Sequence, residues 1–301
     1  GDVYKRQVII EEGYHGHTQT GIEISDYKFN NSKGIGQSNH ITKLPLLQKN
    51  TSPLLDSEIE KMKKYFISND LSPSAFISEI ILGCAGQVPL SKDYLKKIYS
   101  TIRSLGGVCI ADEVQTGLGR LGDYYFGFEF QEVKPDIVVL GKPLGNGHPL
   151  GAVITTREIG ESFDNGIEFF STFGGSNLSC RIGTEVLDIV DEEKLQKNAK
   201  TVGDFLRTGF NELKNDVEYI GDVRGMGLFI GIEIIKGDGS EATELCAYIK
   251  NKMRENRILI GSDGPKDNII KIRPPLTIEI EDAQMLLTNL SEVLEQTLDW
   301  T

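Results

Sequence analysis

Two stretches decide the fold: VCIADEVQTG (108–117) and DIVVLGKPLGNGHPLGAV (136–153). Each opens with a near-continuous run of β-favouring apolar residues and closes on a polar residue among glycines. Strands that read as unbroken apolar runs belong in a mostly parallel sheet with both faces covered. The first run ends at Asp112, and Lys142 follows the second after a single glycine. Ligands of open α/β sheets bind beyond the carboxyl ends of the strands. The aspartate and the lysine therefore stand where working side chains belong.

Working outward, AFISEII (75–81) reads as a further strand, and DYLKKIYSTIRSLGG (93–107) as a helix stopped by glycines. LGAVITT (150–156) and Val8–Ile10 add strands. Strand, helix, strand order with right-handed crossovers implies an α/β layer covered by helices. Residues 178–215 carry two helical patterns, the second with apolar residues at helical spacing. After Val217 the texture changes. MGLFIGIEII (226–235) predicts a strand, ATELCAYIKNKMREN (242–256) a helix, RILIG and IIKIRPP short strands, and EDAQMLLTNLSEVLEQTL a closing helix. We therefore expect a large domain over 8–216, a small α+β domain over 217–301, and a leader, GDVYKRQ (1–7), with no structural logic of its own. The polar stretch 19–53 is long for a loop and is expected to cover a site or an interface.

Composition narrows the function. A net charge of −12 disfavours nucleic-acid binding, which needs clustered Lys and Arg. No apolar run approaches the ~18 to 20 residues of a membrane span, and the N-terminus shows no secretory signal. Four scattered cysteines, Cys84, Cys109, Cys180 and Cys246, lack CxxC pairing, and the four histidines lack metal-ligand spacing on a helix. These features point to a reduced, cytoplasmic protein with no metal site.

Alone, Asp112 could be an ordinary helix-capping or salt-bridged residue, and Lys142 a surface lysine. Together, at neighbouring strand ends, they are what pyridoxal phosphate requires. A carboxylate keeps the pyridine nitrogen protonated, the lysine carries the aldehyde, and glycines let the backbone approach a flat ligand.

YHGHT (14–18), ADEVQTGLGR (111–120), GKPLGNGHPLGAV (141–153), STFGGSNLSC (171–180) and GDVRGMGLFIGIE (221–233) resemble, in order, the signatures of class III aminotransferases. The resemblance implies the fold-type-I architecture, an α/β large domain with a mostly parallel sheet and a smaller α+β domain. It makes Lys142 the Schiff-base lysine and the base for the substrate's α-proton, and Asp112 the partner of the pyridine nitrogen. Val114 and Tyr14 would flank the ring, and Gln115 would hydrogen-bond its phenolic oxygen. Thr172 would reach the cofactor phosphate of the neighbouring subunit of a homodimer. Glu79 and Arg273 would form a gate, with Arg273 binding a substrate carboxylate when released.

The implied reaction is transfer of an amino group between an amine or amino acid and a keto acid. The GKPLGNGHP wording is similar to the branch of ethanolamine-phosphate and phosphohydroxylysine phospho-lyases, so a lyase releasing phosphate is the alternative. A third reading, a non-catalytic fold-type-I chain, sits poorly with the presence of both Lys142 and Asp112. Family members begin with a Ser/Gly-rich phosphate-binding segment upstream of the tyrosine. Nothing like it precedes Tyr14, so the chain is expected to be a fragment. GLGRLG (117–122) superficially suits dinucleotide binding, but no helical pattern follows it.

Overall fold

A computed structural model describes residues 6–47 and 52–297. Of the expected leader, positions 1–5 lie outside the described residues; Gln7 already opens a strand.

The chain runs β1 (Gln7–Ile10), α1 (Gln19–Glu23), α2 (Asp26–Phe29), β2 (Ile41–Leu44), α3 (Ser52–Ser68), β3 (Ala75–Glu79), β4 (Ile81–Leu82), β5 (Val88–Pro89), α4 (Tyr94–Ser104), β6 (Val108–Asp112), β7 (Ile137–Leu140) and β8 (Ala152–Thr155). It continues through α5 (Arg157–Phe163), α6 (Asn177–Glu192), α7 (Leu195–Asp216), β9 (Ile220–Met226), β10 (Phe229–Ile234), α8 (Thr243–Glu255), β11 (Gly261–Asp263), β12 (Ile269–Ile272) and α9 (Ile280–Glu295).

The main sheet has the order β2-β1-β3-β6-β7-β8. Every neighbouring pair is parallel except β7 with β8, so the expected mostly parallel α/β sheet is what forms. Helix α4 shows why one face closes. Its buried Tyr94, Leu95, Ile98, Tyr99 and Ile102 recur at helical spacing, and Gly106, at φ 86°, ends it in a conformation that favours glycine. With α3 it covers Val8, Ile10, Leu44 and Phe76 from the strands. Each such side chain contributes roughly 1.5–3 kcal/mol of burial.

Continuous apolarity did not guarantee two covered faces. Strand β7 is half-buried apart from Leu140, and the antiparallel edge strand β8 leaves Val153 and Ile154 exposed. The stretch expected as a long loop holds α1, α2 and the edge strand β2, paired in parallel with β1.

The second sheet, β11-β12-β10-β9, is antiparallel throughout. Its core joins Ile230, Ile232 and Ile270 to α8 and α9, and draws Ala199, Val202, Leu206 and Phe210 from α7. The close approach of α7 is fixed at Gly203, where a Cβ would lie 2.3 Å from the carbonyl oxygen of Gly227.

Candidate active site

The register of the main sheet assembles the site. Glu79 and Asp112 end neighbouring parallel strands and are paired across them, and Asp112 in turn pairs with Val139 of β7. The loop after β1 adds Tyr14 and His15, and the turn after β7 adds Lys142.

Asp112 is held from two sides. Its Oδ2 lies 2.8 Å from His15 Nδ1, and its Oδ1 accepts the Val114 N–H at 3.1 Å. The turn that follows is pinned by Glu113, a buried carboxylate accepting from Thr116 Oγ1 (2.5 Å) and from the backbone N–H groups of Gly127 and Phe128 (2.9 Å each). Burial pushes the Glu113 carboxyl up, against the pull of those donors. The anchor fixes the backbone from which Val114 and Gln115 project. GLGRLG lies in this same run of turns and opens no α-helix, only a short 3-10 turn following at Gly127–Gln131, so it does not form a dinucleotide-binding loop.

Lys142 follows Gly141 with φ at 20°, an uncommon angle for a residue with a side chain. Asn146 and Gly147, at φ 43° and 102°, then turn the chain toward β8. His148 secures this loop through Nε2, 2.9 Å from Ser179 Oγ on α6. A Cβ on Gly141 would come within 3.3 Å of Val114, so the lysine turn and the Val114 turn lie side by side.

Glu79 is not paired with Arg273. Its Oε2 accepts the Tyr14 N–H and its Oε1 the Gly83 N–H, both at 3.1 Å, so both oxygens are committed to backbone. Burial and then the Asp112 charge raise its carboxyl to about 7. Arg273 donates instead to Gln115 Oε1. The expected gate is thus replaced by an Arg273–Gln115 contact. Thr172 lies on the exposed stretch between α5 and α6 and does not line the cavity shared by Lys142 and Arg273.

That cavity, about 530 Å³, is lined by Val114, Gln115, Arg120, Lys142 and Arg273 among others, and by no carboxylate among the described residues. Arg120 is a residue the sequence did not single out. Its Nη1 donates to the carbonyl oxygens of Leu228 (3.0 Å) and Pro274 (2.9 Å), tying the loop after β6 to the second sheet. Desolvation, with the Arg273 charge, lowers it to about 10. His15 was also passed over: its neighbour in sequence is Tyr14, but its partner lies 97 positions away.

The family model for aminotransferase class-III matches residues 3–294. The chain belongs to the class-III aminotransferase family. It is 40% identical to the alanine–glyoxylate aminotransferase 2-like protein of Drosophila melanogaster, over 96% of this chain and 63% of that protein. It is 33% identical to the ethanolamine-phosphate phospho-lyase homolog 1 of Caenorhabditis elegans, over 97% and 68% respectively. Among solved structures it resembles an Arthrobacter phospholyase in complex with phosphoethanolamine, with a TM-score of 0.89 and 32% identity, covering 96% of this chain and 70% of that one. The chain therefore spans about two thirds of these relatives. Its structural neighbours are fold-type-I transferases, in keeping with the expected architecture. No described helix is long and apolar enough to cross a membrane.

Proposed function

We propose that this chain carries the catalytic portion of a pyridoxal-phosphate-dependent transaminase acting on an amine or amino acid and a keto acid. The observation that carries the reading is Asp112, a nearly buried carboxylate at a strand end, fixed by His15 and Val114, with Lys142 in the turn that follows the neighbouring strand. This donor set fits the cofactor. Two of the carboxylate's acceptor positions are used, leaving capacity for a ring N–H, and the glycine beside Val114 leaves room for a flat ring.

When bound, pyridoxal phosphate supplies an electron sink for negative charge at the carbon bearing the amine. The chain's own residues do the rest. Asp112 would accept a hydrogen bond from the proton-bearing ring nitrogen, and His15 with the Val114 N–H keeps that carboxylate oriented. Val114 and Tyr14 would flank the ring, and Gln115, whose Oε1 accepts from Arg273, would donate its amide N–H to the ring's phenolic oxygen. Lys142 Nζ tethers the group and moves the proton at the substrate's α-carbon. Arg273 receives a substrate carboxylate.

A homodimer, with Thr172 reaching the other subunit's site, is supported by the apolar surface around it. Phe169, Phe170 and Phe173 are 74%, 78% and 84% exposed, and Ile167 and Leu178 accompany them. Contiguous apolar exposure of this kind marks an interface. All four cysteines are free thiols, which supports a reducing compartment such as the cytoplasm.

Elimination of phosphate from a phosphorylated amine is the second reading, favoured by the phospholyase similarity and by a cavity lined, among the described residues, with three cations and no acid. The deciding experiment is an absorbance spectrum with pyridoxal phosphate, before and after borohydride, with peptide mapping. A visible band fixed on Lys142 and lost in Lys142→Ala supports the site. Product analysis then separates the readings, since a transaminase yields an amino acid and a phospho-lyase yields inorganic phosphate and ammonia.

A further inference from the structure

One buried carboxylate anchors two walls of the candidate site. Glu79, 4% exposed, ends β3 in register with Asp112 at the end of β6. Neighbouring strands lie about 4.8 Å apart, and side chains paired in register share a face, so the two carboxyls stand side by side. Each holds one member of the Tyr14–His15 pair. Glu79 Oε2 accepts the Tyr14 N–H at 3.1 Å, and Asp112 Oδ2 meets His15 Nδ1 at 2.8 Å. Glu79 Oε1 accepts the Gly83 N–H at 3.1 Å. Gly83 in turn lies against the Gln115 amide, where a Cβ would come within 2.6 Å of Nε2. Tyr14 and the backbone that seats Gln115 therefore share one anchor.

That anchor has no counter-charge of its own. Among the described residues no lysine or arginine nitrogen lies within 4.0 Å of Glu79. The titratable groups facing it are Asp112 on β6, His15 and Tyr14 on the loop after β1, and Cys84 on its own loop, with Lys142 acting on Cys84. His15 is committed to Asp112. Burial keeps the Cys84 thiol and the Tyr14 phenol neutral. Two carboxylates side by side and away from water do not both ionise freely. Burial, then the Asp112 charge, raises the Glu79 carboxyl to about 7, against the pull of its two N–H donors. A protonated carboxyl spends one oxygen as a hydroxyl, a poorer acceptor, so one of those two bonds slackens. A protonated ring nitrogen against Asp112 supplies the missing positive charge, favours the ionised form and tightens both.

We infer that Glu79 is a positioning residue that braces Tyr14 and the Gln115 side of the site, and that it yields its proton when the cationic ring of pyridoxal phosphate binds. The assignment of the proton rests on the reading of Asp112 as the partner of the ring nitrogen. The brace itself stands on the two hydrogen bonds.

The test is calorimetric titration of 4-deoxypyridoxine 5′-phosphate, the cofactor without the aldehyde that would condense with Lys142, into the wild type, Glu79→Gln and Glu79→Asp. Titrations at about pH 6 and about pH 8, in buffers of different ionisation enthalpy, count the protons exchanged. Ring and phosphate ionisations are common to wild type and variants, so the difference between them reports Glu79. At about pH 6 the wild type should release up to roughly one more proton than Glu79→Gln, and the excess should vanish by about pH 8. Its affinity relative to Glu79→Gln should rise several-fold, up to roughly tenfold, over that range. Glu79→Asp keeps the charge but is too short to span both N–H groups, so it should preserve the proton release and bind the probe more weakly. Hydrogen exchange of the Tyr14 and Gly83 amides, read in the unliganded protein, should be faster in Glu79→Gln. Equal proton counts in wild type and Glu79→Gln, or unchanged exchange at both amides, overturns the assignment. A wild type that does not bind the probe strikes the reading of Asp112, while amide exchange still judges Glu79 as the brace.

Discussion

His15 and Asp112, 97 positions apart, meet at 2.8 Å with side chains only 1% and 9% exposed. A carboxylate so far from water is costly unless donors surround it. Here the Val114 N–H supplies one donor and the imidazole the other, while His15 Nε2 has no partner among the described residues. Replacing His15 by Phe keeps the ring volume and removes the donor. The expected cost is about 1–3 kcal/mol in unfolding free energy, with cofactor released at least roughly tenfold faster, one decade being 1.4 kcal/mol. His15→Asn, whose amide can take the place of Nδ1–H, should recover much of both. Urea titration and stopped-flow cofactor release check this; an unchanged release rate in His15→Phe would sink the positioning role.

Glu79 makes stability depend on pH. Its folded value of about 7 lies above the ordinary 4.5 because burial and the Asp112 charge disfavour ionisation. A carboxyl raised on folding favours the native state while it is protonated, and that advantage is lost as pH climbs from about 4.5 through 7. Glu79→Gln removes the titration. Relative to the wild type, the variant should therefore gain on the order of 2 kcal/mol between pH 5 and pH 8. Parallel denaturation curves across that range measure it, and a pH-independent difference would mean the carboxyl does not titrate there.

Much of this was legible in the chain. Asp112 and Lys142 fall where the apolar runs end, because strand length and burial are written locally, and α4 is announced by its own spacing and by Gly106. The parts that were not legible depend on partners distant in sequence. Nothing near Arg273 says that it will meet Gln115, 158 positions away, and nothing near Glu79 says that its oxygens will be taken by Tyr14 and Gly83. The edge strand β2 was hidden because its four residues, ITKL, carry too little apolar pattern to stand out from polar surroundings.

Gly83 leaves room for Gln115. A Cβ there would lie 2.6 Å from Gln115 Nε2 and 3.3 Å from the Phe229 ring. Gly83→Ala must move the amide, and with it the contact to Arg273. A destabilisation of roughly 1–3 kcal/mol is expected from the crowding, together with a raised KM for carboxylate-bearing substrates. Scanning calorimetry and steady-state kinetics report the two effects separately; a wild-type KM would show that Gln115 does not orient Arg273.

The exposed phenylalanines give a test of assembly. Phe170→Asp and Phe173→Asp place charge on side chains 78% and 84% exposed, where a monomer would tolerate them within about 0.5 kcal/mol. If this surface is the homodimer contact, sedimentation should show the variants dissociating at concentrations where the wild type remains paired. Identical sedimentation of variants and wild type removes these residues from the interface.

Arg120 is the last link between the loop after β6 and Arg273. Its guanidinium is part-buried, has no carboxylate partner among the described residues, and spends Nη1 on the carbonyls of Leu228 and Pro274, the latter directly following Arg273. Arg120→Met leaves two carbonyls without donors while removing a desolvated charge, and these effects oppose each other. Loss of hydrogen bonds to a charged donor is worth about 1.5–3 kcal/mol, so net destabilisation of about 1–2 kcal/mol is expected. The more telling readout is kinetic. Arg120→Lys keeps a cation but cannot span both carbonyls, so Arg273 should lose its fixed origin. KM for acidic substrates should rise several-fold while kcat for an uncharged amine stays near wild type. Equal effects on charged and uncharged substrates would instead place Arg120 in general support of the fold, without influence on where Arg273 points.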